Sequence, residues 1–169
     1  MDPIAHCSIG LMAKPIAPKA PLLVLMAATQ IPDILFFAFE AAGMENQAVT
    51  QMDFNQGLRY LSPAVMHWSH GFLMCIVWSL VAAAITFPFF RDLRTSSIIG
   101  LLVFSHWVLD FTVYSNMPLF FDGSPQIGLG LITSGPGLIL GIILEVILIV
   151  GGIAIYFASR KRKDVQAPV

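Results

Sequence analysis

The sequence is poor in charge. Asp, Glu, Lys and Arg make up 11% of its 169 residues, against 57% hydrophobic, whereas a soluble domain carries roughly 25% charged residues. A chain with a mean hydropathy of +0.80 belongs in a bilayer. Cysteine is equally scarce. Cys7 and Cys75 form no CxxC pair, which excludes a disulfide framework and a thiolate metal site; both read as small hydrophobes. A net charge of -1 with no basic face excludes nucleic acid as a partner. A signal peptide is also missing from the expected features, because Asp2 precedes any basic residue and Lys14, Pro15, Pro18 and Lys19 cut the first apolar stretch. No internal repeat is visible.

What remains is apolar sequence in four runs, each long enough for a hydrocarbon core of roughly 30 Å. They cover about residues 21–42, 64–87, 96–117 and 137–158. Ser62-Pro63 reads as the N-cap and first residue of the second helix. Pro88 and Pro118 are expected to close the second and third, and Gly43 to follow the end of the first. Eight of the nine basic residues (Lys14, Lys19, Arg91, Arg94 and Arg160 to Lys163) fall on one side of such a bundle, with Arg59 alone opposite. The positive-inside rule then puts both termini in the cytoplasm. The expected fold is an all-α membrane protein, a four-transmembrane-helix bundle in one domain over residues 1–159. Residues 4–13 are too short to span and suit a re-entrant or interfacial helix; residues 160–169 read as a disordered basic tail.

Ionisable residues inside apolar runs are costly and usually serve a function. Here they are Asp33, His70, His106, Asp110 and Glu145. At 1.5 Å per residue, all five lie between about 15 and 21 Å from the cytoplasmic ends of their helices, in one layer. His106 and Asp110 are four apart and share a helix face. Pro32 beside Asp33 should kink the first span and free the carbonyl of Ala28. On the fourth, Gly141 on the side of Glu145 would admit a close helix approach.

Two imidazoles and two carboxylates are mixed nitrogen and oxygen ligands that suit zinc first, with manganese or iron as alternatives. A divalent cation held by Asp33, His70, His106 and Asp110 would also neutralise the buried carboxylates. Glu145 would then orient a ligand or act as general base. His67, beside Trp68, reads as structural. The segment 128–135, GLGLITSG, lies outside any strand–helix unit and is no phosphate loop; it suits a lid over the outer mouth of a cavity.

In order, the chain shows His6-xxx-Gly10, IPDIL (31–35), HWSHGFLM (67–74) and GLLVFSHWVLD (100–110). From His6 to about Tyr156 this resembles the small bacterial inner-membrane proteins known as membrane-bound metal-dependent hydrolases, in particular a short branch often labelled as a permease. The resemblance implies a bacterial inner-membrane location and metal-site roles for His6, Asp33, His70, His106 and Asp110. His6 joins the set only through the resemblance, which requires residues 4–13 to fold back into the bundle. The chain departs from the branch at Gly71, where a second serine is usual, and at Tyr114, where a histidine is usual. The implied activity is hydrolysis of a lipid-like or phosphoester substrate that enters from the bilayer or the outer side. Rival readings use the same polar layer as a proton or cation path in a small permease, which would need a homo-oligomer. Others use it for haem ligation by His70 and His106, or in a non-catalytic scaffold.

Overall fold

A computed structural model describes residues 2–48, 50–53, 55–60, 65–121 and 123–166, with the side chains of residue 60 and of residues 162–166 left out. Among the described residues the elements run α1 (Pro3–Ala13), α2 (Leu22–Ala28), α3 (Ile31–Ala41), β1 (Thr50–Asp53), β2 (Gly57–Tyr60), α4 (His67–His70), α5 (Phe72–Phe90) and α6 (Leu93–Val113). They continue with β3 (Met117–Pro118), β4 (Gln126–Ile127), a 3-10 turn (Leu131–Thr133) and α7 (Gly135–Gln166). Helices α5, α6 and α7 are long and apolar enough to cross a membrane. The pair α2 and α3, bent by 55°, makes a fourth, broken span.

The bundle is apolar outside and small or polar inside, as membrane helix packing favours. Leu80, Phe89, Leu101 and Ile139 face outward, whereas Ala17, Ala20, Leu25, Ile99 and Val103 are buried. Helix α1 folds back against this core. Lys14 Nζ donates to the carbonyls of Pro18 and Ala20 and so closes the turn that reverses the chain. Glycine admits α1 on two sides. A Cβ on Gly10 would lie 2.8 Å from Met26 Cα, and one on Gly152 would lie 2.7 Å from Ser8 O.

Several boundaries differ from expectation. The second span begins at Phe72, because Gly71 (φ -64, ψ 138) breaks the apolar run and leaves His67 to His70 as a separate turn. The Ser62-Pro63 cap lies outside the described residues. Pro88 does not end α5: the ring removes only the bond to the Ala84 carbonyl, and the helix runs on until Arg91 takes a left-handed φ of 46. Helix α6 stops at Val113, before Pro118. The basic residues after Ser159 continue α7 to Gln166 where a disordered tail was expected. Gly141 admits no helix, since a Cβ there would meet only Ile132 at 3.6 Å; the close approach is at Gly152. The two long connections are not plain loops. Strands β1 and β2 form an antiparallel hairpin with Thr50 opposite Tyr60, and Met117 pairs with Ile127 across β3 and β4. The hairpin turn packs on the 3-10 segment, since a Cβ on Gly57 would clash with Ile132 O at 2.5 Å.

Candidate metal centre

Two of the predicted ligands, Asp33 and His70, sit beside a break in a helix. Asp33 occupies the first turn of α3, just past the bend after α2. His70 is the last residue of α4 before the Gly71 break. Asp110 lies one turn from the end of α6, with His106 one turn before it. His6 is in the first half of α1. The structure brings these five together, and His6 does fold back into the bundle.

His70, Asp33 and Asp110 close in on Nε2 of His106. His70 Nε2 and His106 Nε2 are 3.2 Å apart. Asp33 Oδ1 is 3.4 Å from each of those nitrogens. Asp110 Oδ2 is 3.2 Å from His106 Nε2 and 3.7 Å from His70 Nε2. A tetrahedral zinc with bonds of 2.0–2.2 Å would have ligand–ligand edges of about 3.3–3.6 Å. The five edges above, 3.2–3.7 Å, lie close to that size.

The far sides of both rings are held. His106 Nδ1 is 2.7 Å from the Thr29 carbonyl oxygen, which can only accept, so Nδ1 carries the proton and Nε2 of the neutral ring offers a lone pair. His70 Nδ1 is 2.7 Å from Ser69 Oγ. The carbonyl that His106 uses is that of Thr29, next to the Ala28 carbonyl that Pro32 leaves without a helical donor. Interrupting the helix between α2 and α3 leaves the Thr29 oxygen without its helical donor.

Burial is uneven. The side chains of His6, His70, His106 and Asp110 are 1–8% exposed, but that of Asp33 is 33% exposed. A cavity of about 440 Å³ touches the cluster on this side, at Asp33, His70 and Asp110. Its walls carry Phe36, Phe37, Met66 and Met117, with polar Tyr114 and Asn116. The β1–β2 hairpin supplies Thr50, Met52 and Leu58, and Ile132 of the 128–135 segment completes the rim. That segment thus borders the cavity, as a lid would.

Glu145 lies elsewhere. Its Oε1 accepts the backbone N–H of Asp2 at 3.0 Å, and it neither joins the His/Asp groups nor lines the cavity. It anchors the start of the helix that carries His6. His67 packs edge-on against Phe121 and beside Trp68, and it is in neither His/Asp group.

Sequence reasoning misses Glu45. It is 4% exposed, and its Oε1 accepts the backbone N–H groups of Trp68 (2.8 Å) and Ser69 (3.0 Å) at the start of α4. Its own N–H bonds Phe39 O at the end of α3. One residue so ties the helix of Asp33 to the turn of His70. An acidic residue in a loop, 24 positions from its partner, carries no pattern that would single it out.

The model of the YdjM inner membrane protein family matches residues 1–165. The chain belongs to that family and is an integral, multi-pass protein of the bacterial inner membrane. Neither a curated protein nor a solved structure matches it.

Proposed function

Starting from that family membership, we propose that the chain is a membrane-embedded hydrolase whose Asp33, His70, His106 and Asp110 hold a divalent cation, zinc first. The observation that carries this reading is the set of five ligand–ligand distances of 3.2–3.7 Å among four groups from three separate segments. Two carboxylates and two neutral imidazoles balance a divalent charge, which removes the main cost of burying them.

Bound there, such a cation would polarise an ester or phosphoester oxygen and lower the pKa of a coordinated water. The chain's own residues supply the rest. Thr29 and Ser69 fix the ring orientations of His106 and His70. Asp33, the exposed ligand, marks the side from which substrate approaches. Tyr114 and Asn116 offer hydrogen bonds to a polar headgroup, and the Phe, Met and Leu walls accept an apolar chain. The substrate class that fits is an amphiphile with a hydrolysable head. Glu145 is better read as an anchor for α1 than as a base.

A proton path through the same layer fits less well. Hydrogen bonds do connect Ser69, His70, His106 and Thr29 in one line. The line ends on a backbone carbonyl, which has no proton to pass on.

Elemental analysis of detergent-purified protein, wild type beside His106→Ala and Asp110→Asn, tests the reading. Bound zinc, manganese or iron should be present in wild type and fall in both variants. Metal-free wild type after chelator-free purification would sink it. With metal established, release of product from phosphoester and lipid substrates, abolished by Asp33→Asn, tests the hydrolytic step.

A further inference from the structure

His6 is the odd member of the cluster. Its ring is 1% exposed, yet neither ring nitrogen has a hydrogen-bond partner among the described residues. A buried imidazole without hydrogen bonds is costly unless something else occupies its nitrogens. Nε2 lies 3.3 Å from Asp110 Oδ1, without the geometry of a hydrogen bond.

Stacking decides where its lone pair points. The rings of His6 and His106 are parallel within 13°, with centroids 3.9 Å apart. A metal lies close to the plane of each imidazole that binds it, because the lone pair lies in that plane. Stacked rings stand about 3.5 Å apart at van der Waals contact. A cation in the plane of His106 is therefore well outside the plane of His6 and beyond a bond of about 2.0–2.1 Å. His6 cannot share the cation of His70 and His106.

The offset between the stacked rings matches something else. Paired metal ions in hydrolytic sites stand about 3.5–4 Å apart. Asp110 is placed to bridge such a pair, with Oδ2 toward His70 and His106 and Oδ1 toward His6. We propose that His6 Nε2 and Asp110 Oδ1 hold a second divalent cation, so that the centre is dinuclear with Asp110 as the bridging carboxylate. This rests on the single-cation reading above for its first site. With only two protein ligands against four at the first site, the second ion is the weaker one.

The test is metal stoichiometry and spin coupling on the full chain. Apo protein in detergent is titrated with Mn²⁺ and Zn²⁺, and the bound ions are counted for wild type and His6→Ala. Two ions per chain in wild type and one in His6→Ala, with the tighter site kept within about threefold, supports the second site. Exchange-coupled Mn²⁺ signals in wild type support it independently of how the variant folds. One ion per chain in wild type, with an isolated six-line spectrum, overturns the proposal and leaves His6 as a residue that orients Asp110. No bound ion in wild type would overturn the first site as well, so the two failures are distinguishable.

Discussion

His106 is joined to Thr29 by a 2.7 Å hydrogen bond from a ring nitrogen to a backbone oxygen, across 77 positions of sequence. The acceptor exists because the first span is broken. Pro32 brings no N–H to that stretch, and α3 starts afresh at Ile31. Pro32→Ala should let the helix re-form through Thr29, so that the Asp33 amide competes with His106 for the oxygen. Loss of such an outer partner costs about 10–100-fold in metal affinity. The variant is expected to weaken zinc binding by about tenfold in a competition titration; unchanged affinity would show that the bond does not orient the ring.

Glu45 offers a second perturbation at a distance from the ligands. Glu45→Ala leaves two amides at the start of α4 without an acceptor, a loss of about 1–3 kcal/mol. Glu45→Gln keeps an oxygen for both N–H groups and should lose less. Thermal unfolding in detergent, with and without zinc, separates packing from positioning. The zinc-induced rise in midpoint should shrink in Glu45→Ala. An equal drop with and without zinc would make Glu45 a structural cap only.

Gly10 tests the docking of α1. A valine side chain would have to displace the Met26 backbone, 2.8 Å from the position of a Cβ, and overpacking of this kind costs about 1–3 kcal/mol. In a Cys75→Ala background, Gly10→Val should raise the rate at which Cys7 reacts with a membrane-permeant maleimide. Cys7 is half-buried and contacts Gln30 Nε2 at 3.4 Å. An unchanged rate would mean that α1 stays seated.

The connection between α5 and α6 carries a pH dependence of its own. Thr95 donates to Asp92 from its hydroxyl and its backbone N–H, and Lys19 Nζ stands 3.1 Å from Oδ1. These contacts hold the Asp92 carboxyl down at about 2, against 3.8 unperturbed. A depressed carboxylate pKa contributes stability above the unfolded value, and that contribution is lost as pH falls through the folded one. Wild type minus Asp92→Asn stability should thus be level from neutral pH to about 4 and shrink between about 4 and 2. A difference that persists at pH 2 would exclude the ionised form as its source.

Much of the site was legible because membrane depth constrains polar residues more tightly than water does. Asp33, His70, His106 and Asp110 stood out as ionisable groups in apolar runs, and helical rise alone put them in one layer. The spacing of His106 and Asp110 fixed a shared face. Glu145 satisfied the same depth criterion and yet faces the Asp2 amide, because depth does not specify which side of α7 a residue occupies. Gly71 was hidden inside a continuous apolar run, so the break that frees His70 from α5 left no trace in hydropathy. The hairpin of β1 and β2 lies between the apolar runs, beyond the reach of the depth argument, and Glu45 is unmarked for want of any local pattern. His6 came from likeness to a family, and only the stacked rings separate it from the other ligands.

The seating of α1 sets the order in which the molecule can be completed. Asp2 bonds Glu145, and Ser8 packs on Gly152, so the beginning of the chain rests on its last helix. During synthesis that helix emerges after everything else. Until it enters the bilayer, the first helix can dock only through Gly10 on α2 and His6 on α6. Truncation within α7 should therefore loosen the seating of His6 without touching any of the ligands, and the first segment made is among the last to reach its place.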